Sequence, residues 1–158
     1  MTAASHPGEP ASPQQILLLA DEYRRASDNL HGQRRKGQPL SLAPFRLNAI
    51  HAIELYLTAT LLARGHQPNE IRGLRHDLLK RAELAQKLGL NLRKRTVEHL
   101  GVLSANREYI VSRYAPELVG VASSQINRLF ATLNDVASKT KPIIEATEPK
   151  PRPVPLSR

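Results

Sequence analysis

The chain has no cysteine, no tryptophan and only two phenylalanines. Without cysteine there is no disulfide framework, no thiol nucleophile and no thiolate metal site. That composition is compatible with a reducing cytosol, and a cytoplasmic location is expected. With so few aromatics the core must come from Leu, Ile, Val and Ala, which suits helices better than sheets. Long apolar runs are also missing. The first, Ile16 to Ala20, is far too short to span a bilayer, and no basic secretory n-region precedes it. The expectation is a soluble protein with no membrane partner.

Several chemistries lack their signatures as well. There is no Walker-type glycine loop and no GxGxxG to cradle phosphates. No HExxH or paired His/Asp cluster offers a metal site, and no GxSxG offers a serine nucleophile. Neither a cofactor nor a metal is expected.

What remains is one domain's worth of chain, 158 residues, with a formal charge of +9. Sixteen of its 23 basic residues are Arg. A positive field of this size draws polyanions, and the planar guanidinium fork suits phosphate. The charge is spread along the chain, so a generally basic surface fits equally well.

Residues 1–11 are rich in Ala, Ser, Pro and Gly and read as a disordered tail. Ser12-Pro13-Gln14-Gln15 is a helix start: an N-cap, a first-turn proline and a capping-box glutamine. Ile16, Leu19, Ala20, Tyr23, Ala26 and Leu30 then form one apolar face, ending near Gly32. A basic loop, GQRRKGQPLS, leads to a second helix from about Leu42 to Arg64, with Ser41 able to cap it. Its apolar residues occupy most of the circumference, so it is the expected central helix. After a loop of about ten residues comes a third helix, from about His76 to Leu88. Asn91 can cap a fourth, which carries Val97, Leu100, Leu103, Ile110 and Val111 and stops before Pro116. A fifth runs from about Gly120 to Lys141. Residues 145–158 read as an extended, Pro-rich basic tail. The expected fold is an all-α antiparallel bundle of four to five helices over residues 12–144.

Some polar residues do not fit a core pattern. Glu54 stands among apolar neighbours, on one stripe with His51 and Thr58. Burying an unpaired carboxylate is costly, so Glu54 requires an Arg or His partner from another helix. The stretch NREYIVSRY places Asn106, Tyr109 and Arg113 on one stripe, with Arg107 and Tyr114 nearer the apolar face. Two Arg, two Tyr and an Asn are enough to bind a phosphate and stack a base. An interfacial helix with solvated arginines is the other reading.

Taken in order, AIELYLTATLLARG, then GLRHDLLKRAELA, then REYIVSRY ahead of a proline resemble the HEPN domain (higher eukaryotes and prokaryotes nucleotide-binding). The matching residues are Ala52, Glu54, Leu55 and Leu57, then His76, Asp77 and Leu78, then Tyr109, Arg113 and Tyr114. Thr58 stands where that family usually has Lys, and Ala115 intervenes before Pro116. The resemblance implies an all-α bundle that often forms a homodimer. It also implies RNA or nucleotide handling, often beside a nucleotidyltransferase partner protein in toxin–antitoxin or defence systems. Arg113, Tyr109, Tyr114, Arg107, Asn106, Glu54 and His76 would then line or support a ligand groove. Many such domains are metal-independent endoribonucleases using an Arg and a His separated by four to six residues in a late helix. This chain has no His after Arg107 or Arg113 at that spacing. The spacing occurs at Arg24 and Arg25 with His31, at Arg93 with His99, and at Arg46 with His51, which lies nearest Glu54. The expectation is a non-catalytic binding module for nucleotide, RNA or a partner protein. The alternative is a nuclease using Arg46 and His51 across a dimer. His76 itself reads as a structural histidine near Glu54 or the fourth helix.

Overall fold

Helices carry all the regular structure in the computed structural model, which describes residues 6–120 and 125–147. They are α1 (Pro13–Gly32), α2 (Ala43–Ala63), α3 (Pro68–Gly73), α4 (Leu78–Lys87), α5 (Lys94–Ala105), α6 (Glu108–Tyr114) and α7 (Ile126–Thr147). A 3-10 turn, Pro39–Leu42, leads into α2. The all-α expectation holds.

α2 is the axis of the molecule. Its Phe45, Ala49, Ile50, Ile53, Tyr56, Leu57 and Leu61 are all buried, on one broad face of the helix, while Asn48, His51, Leu55 and Thr58 on the other side are only partly covered. It therefore contacts α1, α4, α6 and α7. The bundle is not antiparallel throughout. α1 runs against α2, pairing Tyr23 with His51 and His31 with Phe45. α7 runs alongside α2 in the same sense, pairing Phe130 with Phe45 and Thr140 with Thr60. α4, α5 and α6 occupy the crossover between them.

Local chemistry explains most boundaries. Ser12 Oγ accepts from Gln15 N at 3.1 Å while Gln15 Oε1 accepts from Ser12 N at 2.9 Å, the expected capping box. Ser41 does not cap α2. Its hydroxyl donates to Gln38 O and accepts from Arg35 N, pinning the basic loop instead. Pro68 in a first turn and a Gln67–Glu70 capping box make α3 out of the expected loop. Asp77 is the N-cap of α4 and accepts from Lys80 N at 3.0 Å, so His76 precedes that helix and is not in its first turn. α5 starts at Lys94 after Arg93, not at Asn91.

The expected fourth helix is broken in two. Arg107 takes a left-handed conformation, φ 51°, between α5 and α6. On α1 the inward residues are Leu17, Ala20 and Ser27, while Leu18 and Leu19 face out. A run of five apolar residues, Ile16 to Ala20, did not reveal that Leu17 rather than Leu19 turns inward with Ala20. Residues 6–11 form a turn whose Glu9 lies 3.8 Å from Arg72. α7 extends to Thr147, past the expected tail boundary at 145. The rest of the C-terminal tail lies outside the described residues, as does part of the expected start of the fifth helix.

α5 and α7 meet through a buried polar seam. Thr96 Oγ1 donates to Asp135 Oδ2 at 2.7 Å, and Arg93 N donates to the same oxygen at 3.0 Å. His99, fully buried, pairs its Nδ1 with Thr132 Oγ1 at 2.7 Å. Burial, with Arg128 and Arg46 nearby, pushes the His99 pKa from 6.5 down to about 4. The folded state thus binds fewer protons than the unfolded chain between those values. Stability is complete above about pH 6.5 and falls as the pH drops towards 4, by up to about 3 kcal/mol from this one group. Urea denaturation of wild type and His99→Gln at about pH 7.5 and pH 4.5 checks this: the acid loss should shrink clearly in the variant. An equal loss in both would assign the acid sensitivity to other groups.

Candidate functional site

The stripe of α2 around Glu54 faces α4. Arg81, projecting from α4, is nearly fully buried and donates Nη1 to Thr58 Oγ1 at 3.0 Å and Nη2 to Glu54 Oε1 at 3.4 Å. Burial lowers the Arg81 pKa, while Glu54 and Asp77 raise it back. His76 Nδ1 lies 3.1 Å from Glu54 Oε2. A carboxylate only accepts, so this nitrogen carries the proton that Glu54 receives. Glu54 thus has both an Arg and a His from outside its own helix. Thr58, in the position where a Lys would resemble the family, instead accepts the arginine.

The second arm runs from His76 to α6. The His76 ring stacks on Tyr109 with centroids 4.0 Å apart and an interplanar angle of 23°. Arg113, one turn further along α6, donates Nη1 to the Tyr109 hydroxyl. Its guanidinium carbon lies 5.1 Å from the Tyr109 centroid and 5.3 Å from that of Tyr114. Glu54, His76, Tyr109 and Arg113 therefore form one chain of contacts joining α2, the α3–α4 turn and α6.

Two left-handed residues aim this chain. Arg75, φ 50°, immediately precedes His76, and its carbonyl accepts from Arg81 Nη2. Arg107, φ 51°, turns the backbone just before Tyr109. Such conformations cost a non-glycine residue about 1 kcal/mol or more. They persist because Arg81 and α6 packing hold the surrounding segments.

The arm opens on a groove of 290 Å³ lined by Tyr23, Leu47, Asn48, His51, Tyr109 and Arg113. His51 meets Tyr23 edge-on at 4.4 Å. Burial lowers the His51 pKa; Glu54 raises it, and His76 and Arg113 lower it further, so the ring is neutral at pH 7. The groove thus offers a guanidinium, a phenol, a carboxamide and a neutral imidazole on an apolar floor. That set suits a phosphate beside a planar ring.

Not every expected residue joins the groove. Asn106 caps the end of α5 and is exposed. Arg107 and Tyr114 also face solvent rather than the apolar side, Tyr114 at 71% exposure. The helix break at Arg107 explains this, since it takes Asn106 off the α6 stripe. Arg46 and His51 are not brought together within the chain. Five positions apart on one helix they point about 140° from each other. Arg46 is buried 3.7 Å from Glu108, whereas His51 faces Tyr23. Burial lowers the Arg46 pKa and Glu108 raises it. Sequence reasoning missed Tyr23, Leu47 and Asn48. Asn48 lies three residues before His51 and was findable from helical spacing; Tyr23 needed the α1–α2 pairing.

Among the described residues no group of three or more His, Asp or Glu could hold a metal ion. Nor is any helix among the described residues long and apolar enough to cross a membrane. No protein-family model, curated protein or solved structure matches the chain.

Removing Glu54 leaves the buried Arg81 without its carboxylate. Glu54→Ala should cost about 3 kcal/mol in urea denaturation, the range for breaking a buried ion pair. A loss below about 1 kcal/mol would mean that solvent screens the pair.

Proposed function

We propose that this protein is a HEPN-like binding module, without catalytic activity, that takes a nucleotide or RNA in the groove between α1, α2 and α6. The observation that carries this reading is Arg113. Its guanidinium is fixed by the Tyr109 hydroxyl and lines the open groove, and it has no carboxylate partner among the described residues. A cation positioned in this way is ready for a phosphate oxygen. Tyr109 is braced from behind by His76 and Glu54, so the phosphate-binding end is preorganised.

Support for the family likeness is the convergence of its three short motifs. AIELYL supplies Glu54, GLRHDLL supplies His76, and REYIVSRY supplies Tyr109 and Arg113, all in one contact chain. The likeness brings with it the further proposals of a homodimer, a nucleotidyltransferase-type partner and a toxin–antitoxin or defence setting.

The nuclease alternative needs an imidazole and a guanidinium converging on one phosphate. Arg46, committed to Glu108 behind α6, is poorly placed for that role with His51.

Arg113→Ala should weaken binding of a short oligouridylate by roughly tenfold to a hundredfold, the loss of one charge-assisted phosphate contact. Fluorescence anisotropy gives the affinity, and circular dichroism should show unchanged helicity. Equal affinity in variant and wild type would remove the binding role. In EDTA near neutral pH, the purified protein should leave mixed RNA uncut; products ending in a 2′,3′-cyclic phosphate would restore the nuclease reading.

A further inference from the structure

The groove is not isolated. A second hollow, of 320 Å³, adjoins it and runs between Leu40, Pro44 and the end of α6. Arg113 lines both. A third hollow, of 710 Å³, lies in the basic loop and is lined by Arg34, Arg35, Lys36 and Leu42. The 3-10 turn separates the last two: Leu40 faces one and Leu42 the other. Pro39 of that turn sits against Gly120, where an added Cβ would come within 3.3 Å, so the basic loop is seated beside the segment following α6. From Leu42 to His51 the three hollows follow roughly 14 Å of the α2 axis.

Their electrostatics set them apart. No carboxylate lines any of the three. Two other hollows contain Glu98 in one case, and Glu9 with Glu54 in the other. Among the described residues Arg34, Arg35 and Lys36 have no salt bridge. Nor is their loop shapeless. Ser41 Oγ holds it from both sides, Gln38 N donates to Arg35 O at 3.1 Å, and Gly37 takes φ 73°, which favours glycine. Three uncompensated cations on a pinned loop favour a line of phosphates. Between loop and groove the surface turns apolar: Tyr114 and Leu40, which line the second hollow, are 71% and 53% exposed. An exposed tyrosine ring between the basic loop and Arg113 is a platform for an unpaired base.

We infer that this surface is a track for single-stranded RNA, with backbone phosphates held by Arg34, Arg35 and Lys36, a base stacked on Tyr114, and a neighbouring nucleotide in the Arg113 groove. This rests on the binding reading of that groove and extends it from one nucleotide to several. A duplex does not fit, because its bases have no free face for Tyr114.

The test compares uridine di- and octanucleotides by anisotropy on wild type, Arg113→Ala, Tyr114→Ala and the triple variant R34A/R35A/K36A. Wild type should bind the octanucleotide at least about tenfold more tightly than the dinucleotide. The triple variant should lose most of that gain while holding the dinucleotide as before. The slope of log affinity against log salt should fall by about 2, the value for three phosphate contacts on a single strand. Tyr114→Ala should weaken the octanucleotide and leave the salt slope unchanged. A triple variant that binds the octanucleotide like wild type overturns the track and leaves the groove reading standing. An unaffected Arg113→Ala with a weakened triple variant overturns the groove reading, and with it the groove end of the track. A face that instead joins two copies of the chain would show as a lower sedimentation coefficient in Tyr114→Ala with unchanged RNA binding, and that result also overturns the track.

Discussion

The Glu54 carboxylate is the constraint on which the site depends. It lies on α2, at the margin of that helix's buried apolar face, with its own side chain only 13% exposed. A charge in that setting is tolerated only when its lone pairs are met, so Arg81 and His76 must come to it. Their arrival fixes the start of α4, the turn at Arg75 and the stacking of His76 on Tyr109. Through Tyr109 the same constraint reaches Arg113, which makes no ion pair among the described residues. A buried polar contact thereby sets the direction of a cation that lines the groove.

The rest of the polar interior follows the same physics with other consequences. Asp135 receives Arg93 N and Thr96 Oγ1 and acts as the cap that α5 lacks in its own sequence. Arg46 and Glu108 join α2 to α6 beneath the groove. Tyr56 donates to Asp21 at 2.5 Å, linking α2 to α1, and burial with Asp21 beside it raises the phenol pKa. These contacts brace the helices, while Arg34, Arg35, Lys36 and Arg113 form no ion pairs among the described residues. A chain of +9 therefore divides its arginines between structural roles and an unneutralised strip along the first turns of α2.

Much of this was legible in the sequence, for identifiable reasons. α1 and the burial of α2 could be read because a capping box and an all-round apolar pattern are local properties. The need of Glu54 for an Arg or His partner followed from desolvation alone, and one of each is present. What was not legible depended on tertiary context. The break at Arg107 occurs at a residue with no helix-stopping character, so 106–114 looked like one continuous stripe. α3 was read as loop because its six residues carry too little periodicity to register. The His99–Thr132 and Thr96–Asp135 pairs were hidden because threonine, histidine and aspartate on a mostly polar helix give no sign of facing each other. Arg46 and His51 matched a spacing in sequence, but helical geometry points them apart.

The central claim is that a nucleotide lies against the ring of Tyr109 beside Arg113. Photocrosslinking with a 4-thiouridine-labelled oligonucleotide, followed by mass spectrometric mapping of the adducts, addresses it most directly. The account predicts adducts on the peptide spanning 108–114, at Tyr109 or Tyr114. Adducts concentrated in the hollow of Arg93, Arg95 and Arg128, with none on α6, would contradict it.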